Sequence, residues 1–298
     1  MHLSEREIFA LVHGLLIGGP FLLAFTGGLV ALDGLRADYL TTQGIATQVR
    51  RLRLGTSVLA VMAWAIVLTG AWILLPWYRE DTPTSPRSIL LANPETRDWH
   101  DFADVWKTHV AFMAPILATT AAALVAYYGP RLARDRDLRN LVLALFLGAF
   151  AVASIAALIG SLVTRAAPVR GRRPVTTVHD PPELDLAEAA VTVEEERPSG
   201  PAAAVLLAAG LACFALGLLT VLTVISGAVS DVLTFSERVG DLSGVTTVAT
   251  IVFFAVWVGL AFAWRQANPP LARVTAAAGL LIALGLLGTF PPFFNAFA

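Results

Sequence analysis

The sequence predicts an all-α integral membrane protein with seven transmembrane helices, a four-helix bundle followed by a three-helix module. Three observations carry that prediction. Of 298 residues, 56% are hydrophobic and only 14% charged, and the mean hydropathy is +0.70. Soluble domains carry roughly 25% charged residues, so this balance suits lipid rather than water. The charge also sits in blocks between apolar runs, each about 20 residues or longer, enough for a helix to cross a ~30 Å hydrocarbon core. Finally, one long polar stretch, residues 165–200, interrupts the series.

The runs fall at 8–32, 55–78, 109–128, 141–163, 202–229, 245–264 and 274–297. They read as helices because backbone exposed to lipid must satisfy its own hydrogen bonds, and barrel strands alternate in polarity instead of running apolar. The first run is a retained span: the residues before it carry no net positive charge, and it is too long for a signal-peptide core. Within it, Gly14-Leu15-Leu16-Ile17-Gly18 is a small-xxx-small pair suited to close helix approach. With α-helical spacing, Gly18 and Gly19 lie well around the helix from His13. Pro20, and Pro115 in span three, each free a carbonyl and bend their helix locally. Asn93-Pro94 opens an amphipathic segment leading into span three. Threonines and serines in spans five and six bond backbone carbonyls or bridge helices. Phe290-Pro291-Pro292 ends the last span at an interface.

Residues 165–200 hold Arg165, Arg170, Arg172 and Arg173, then an acidic stretch ending Glu194-Glu195-Glu196. This composition reads as a solvated linker with a short helix over 183–191. The domains are therefore a four-span module (1–164), the linker (165–200) and a three-span module (201–298). If the spans alternate strictly, loops 33–54, 129–140 and 231–243 share one face. That face is the denser in arginine, which puts the N-terminus outside and the C-terminus in the cytoplasm of a cell-membrane protein.

Formal net charge is −1, so no strong field steers a nucleic acid or other charged partner. The lone Cys213 excludes a disulfide framework. No acid or base lies inside a span, and Lys107 sits at the mouth of span three. That argues against ion-coupled transport, which relies on intramembrane charge, and against a retinal Schiff base. Phosphate loops, HExxH and GxSxG are absent.

The positive features are two histidines. His13 lies just inside span one and His109 at the threshold of span three, both near the same face. A b-type haem clamped between helices takes one His from each of two helices at similar height. On the helix entering span three, Trp99, Phe102, Trp106, His109 and Met113 share one face, a wall for a porphyrin or a quinone head group. The sequence thus predicts a haem b electron-transfer subunit, with His13 and His109 as metal ligands, exchanging electrons with quinone or a partner redox subunit. The alternative is a cofactor-free membrane anchor or scaffold. A carrier for a neutral solute, or a lipid-directed enzyme built on Asp98, His100, Asp101 and Asp104, has less to support it.

Overall fold

The computed structural model describes residues 5–35, 41–97, 99–166 and 197–297, and no strand occurs among them. Seven of the described helices are long and apolar enough to cross a membrane: α1 (Glu7–Asp33), α2 (Thr42–Tyr78), α3 (Trp99–Ala133), α4 (Arg136–Arg165), α5 (Gly200–Ile225), α6 (Leu242–Ala263) and α7 (Leu271–Thr289). The most enclosed are α3 and α5. The outer helices turn large apolar side chains outward, among them Leu15, Leu23, Val258 and Leu280, as lipid-facing helices do.

Among the first four helices, α1 packs on α2, α2 on α3, and α3 on α4. Phe25 of α1 stacks on Phe146 and Phe150 of α4, with ring centroids 5.2 and 3.9 Å apart. Gly28 leaves room for the Phe146 ring, which an added Cβ would meet at 2.5 Å. The last three helices gather around α5, which packs on both α6 and α7. Gly210 of α5 rests on Ala278 of α7, and Gly217 on Gly285 and Gly288, so these two helices run parallel. Small residues let their backbones approach closely, which is how helices associate when hydrophobicity gives no driving force.

The two sets of helices meet where α5 runs along α3 in the opposite direction. Near the end of α3, the Tyr127 hydroxyl donates to the Pro198 carbonyl at 2.7 Å. Arg197 donates back to the Tyr127 carbonyl at 2.6 Å. At the other end of the bundle, Arg79 at the close of α2 donates to the Val239 carbonyl, and Asn295 donates to Asp101 at 3.0 Å. Loop 234–241 and the C-terminal residues therefore share the end where α1 and α3 begin, here called the first end. The start of α5 and turn 264–270 lie at the second end.

This differs from strict alternation, which places 231–243 with loop 33–54 and sets the two termini on opposite faces. The difference arises because α4 finishes at the first end while α5 starts at the second. The connection, residues 167–196, lies outside the described residues, as do the expected helix over 183–191 and Arg170, Arg172 and Arg173. The arrangement sorts charge. Arginines 50–53 and 131–139 join Arg197, Arg265 and Arg273 at the second end, against Asp33, Asp135 and Asp137. The first end is richer in acids, with Glu80, Asp81, Asp101, Asp104, Glu237 and Asp241.

Candidate functional site

A cavity of about 460 Å³ opens among α1, α2, α3 and α4 toward the first end. Its walls are mostly apolar, and its polar groups include His13, Tyr78, Lys107, Thr108, Ser154 and Thr164. Three π-helical turns surround it: Val12–Ile17 in α1, Gly70–Leu74 in α2 and Phe102–Trp106 in α3. A π turn bonds residue i to i+5 and so re-phases the side chains that follow, and such turns often sit at functional sites. The first one explains why His13 and Gly18, five residues apart, both line the cavity, although ordinary α spacing sets them on different faces.

Two glycines make room for the principal polar side chains. A Cβ at Gly70 would approach the His13 ring carbon Cε1 at 3.3 Å, and one at Gly160 would meet Lys107 Nζ at 3.2 Å. His13 Nδ1 is 2.8 Å from Thr69 Oγ1. That hydroxyl itself lies 2.7 Å from the Ala65 carbonyl and donates there. Thr69 is therefore an acceptor toward the ring, Nδ1 carries the proton, and Nε2 keeps its lone pair, an assignment that follows from the hydrogen-bond network. Lys107 belongs to the cavity wall rather than to the mouth of the span. The chain's only lysine thus lines the same cavity as an imidazole that accepts.

The face of α3 that lines the cavity carries Ala103, Lys107, Ala111 and Ala114. The aromatic face singled out from the sequence looks elsewhere. Phe102 and Trp106 meet Phe290, beyond α7, edge-on with centroids 6.2 and 5.5 Å apart. Trp99 is half-exposed, 5.9 Å from Phe102, and Met113 is buried in the core. His109 is buried, with Nδ1 donating to the Val105 carbonyl at 2.7 Å. Among the described residues its Nε2 has no hydrogen-bond partner, and neither does Trp106 Nε1. The cavity thus brings His13 together with Lys107 and leaves His109 out of its lining.

A polar cluster closes the first end. Arg79 Nε donates to both carboxylate oxygens of the buried Asp104 at 2.9 and 3.0 Å, while Nη1 reaches Val239 at 2.5 Å. Gly240 adopts φ +69°, and a Cβ there would meet Arg79 Nη1 at 2.6 Å. His100 shares 2.8 Å with the Tyr78 hydroxyl and stands 3.9 Å from Asp104. The i,i+4 spacing of His100 and Asp104 is visible in the sequence, but the partner that holds Asp104 is Arg79. No group of three or more His, Cys, Asp or Glu placed to hold a metal ion occurs among the described residues. Asp98 lies outside them. Comparison with protein-family models, curated proteins and solved structures finds no match.

Proposed function

We propose that the first four helices form an intramembrane binding module for a lipid-soluble quinone. In this reading the chain is a membrane subunit that exchanges electrons with a partner redox subunit through that quinone, and the last three helices are a separate three-span module. The observation that carries the proposal is the cavity. Its volume fits a substituted aromatic ring, its walls are apolar, and its polar groups are few and convergent, the usual make-up of a small-molecule site. Lys107 is a donor for a ring carbonyl. His13 offers the bare Nε2 and so accepts from a hydroxyl, which suits the reduced form, the quinol. Together the two fix the ring's orientation: Lys107 donates to an oxygen of either form, and His13 accepts from the quinol alone.

The test is binding of a short-chain benzoquinol and its quinone to the detergent-purified protein, read by quenching of the cavity tryptophan Trp77. Saturable binding is expected. Ala153→Trp, which places an indole in the cavity, should weaken it at least tenfold while circular dichroism stays that of the wild type. No saturable binding by the wild-type protein rejects the proposal.

A second reading, haem b, is supported by His109. An imidazole whose Nδ1–H is fixed to a carbonyl presents its Nε2 lone pair to a metal, and His109 Nε2 is buried without a partner among the described residues. The pairing of His13 with His109 on one iron draws no support from the cavity, whose lining includes only His13. A reduced-minus-oxidised spectrum without an α-band removes haem. Neither chromophore nor quinone binding would leave the cofactor-free anchor. The sorting of arginine to the second end favours that end as cytoplasmic, with both termini outside a cell membrane.

A further inference from the structure

We propose that the second end holds a binding site for an anionic, phosphate-bearing head group at the seam between the first four and the last three helices. A cavity of about 620 Å³ lies there, opposite the one already described. Its walls come from the end of α3 and the turn after it, the start of α4, residues 197–199 ahead of α5, and the turn between α6 and α7. Arg131 and Arg197 reach it from chain segments on either side of the seam.

Each guanidinium is held against an aromatic ring. Arg131 lies 5.6 Å from the centroid of Tyr128, and Arg197 lies 5.7 Å from that of Tyr127. Arg197 Nη1 already donates to the Tyr127 carbonyl; the donors that remain along the edges of the two stacked guanidiniums are those that match phosphate oxygens in pairs. Among the described residues Asp135 is the one carboxylate on the wall, and it forms a loose ion pair with Arg131 at 4.0 Å. Among the described residues two arginines face one acid on this wall, and a phosphate offers more acceptor oxygens to them than a carboxylate does.

Position argues for a lipid as the source. The cavity sits at the level where seven apolar helices end, beside a tyrosine pair of the kind found at membrane interfaces, and within the arginine-rich end of the bundle. Leu138, Pro269 and Leu271 give it an apolar side next to the basic one. Basic pockets between helices at the cytoplasmic boundary recognise anionic head groups. Because residues from both helix sets build the walls, a ligand here binds only the assembled seam and stabilises it by linkage.

The experiment measures the thermal midpoint of the full chain in detergent with added phosphatidylglycerol, phosphatidylcholine or inorganic phosphate, alongside native mass spectrometry. Phosphatidylglycerol is expected to raise the midpoint saturably and to persist as a bound adduct, with phosphatidylcholine doing neither. Arg131→Gln combined with Arg197→Gln should lower apparent affinity at least tenfold, while its midpoint in phosphatidylcholine shows that the variant is folded. An equal rise with inorganic phosphate alone supports the phosphate site and reassigns its ligand to a soluble anion. Equal responses to the two lipids, or an unchanged response in the double variant, overturn the proposal.

Discussion

Arg79 joins three segments of the molecule at the first end. Its guanidinium binds the buried Asp104 of α3 and the backbone at Val239, so one residue ties the exit of α2 to both halves of the chain. Removing one partner of a buried ion pair typically costs about 3–5 kcal/mol, because it strands the other charge. Arg79→Ala should therefore lower unfolding stability in detergent by about that amount, while the exposed Arg97→Ala leaves it within about 0.5 kcal/mol. His109 poses the opposite case. His109→Leu in cofactor-free protein gives up the Nδ1 bond to Val105 but also buries one polar nitrogen, Nε2, fewer, so stability should change by less than about 1 kcal/mol. A loss above about 1 kcal/mol would show that Nε2 has a partner. At this scale the sequence revealed only part of the site. His13 stood out because histidine is rare inside spans, but Lys107 did not, since counting along the helix puts it at the membrane edge and cannot show that its side chain turns into a cavity beside Gly160.

At the scale of elements, the π turns and the glycine contacts decide what packs where. A cavity-lining face that shifts register part-way along α1, α2 and α3 has no periodic signature. The heptad-like spacing of Phe102, Trp106, His109 and Met113 accordingly identified a real buried face, but one turned toward Phe290 and the core. Between α5 and α7 the fit is set by hydrogen-sized side chains. Gly217→Val would drive its Cβ into the Gly285 backbone. The variant should destabilise the last three helices by at least the 1–3 kcal/mol typical of overpacking, read as a lower unfolding midpoint. Gly227→Ala, which meets open space, is the control and should leave it unchanged. The seven helices themselves were plain from composition, because the hydrocarbon core demands length and apolarity and little else.

For the whole molecule, the decisive feature is which helix ends lie together. Alternation of spans is a rule about continuous chains, and the sequence offers no sign that it is set aside between α4 and α5. The contacts of Arg79 with Val239 and of Tyr127 with Pro198 do so. Single cysteines provide a direct check, since the native Cys213 is buried and silent to a membrane-impermeant thiol reagent. In intact vesicles, Asp81→Cys and Glu237→Cys should react from the same side and Gln266→Cys from the other. Labelling of Glu237→Cys together with Gln266→Cys would refute the assignment of ends. The same arrangement bears on how the protein is made. Arg165 and Arg197 lie at opposite ends of the bundle, and the sequence of residues 167–196 contains no apolar run. The last three helices then cannot inherit their direction from the span synthesised before them. Their own flanking charges, Arg265 and Arg273 among them, are then the feature expected to orient them during insertion.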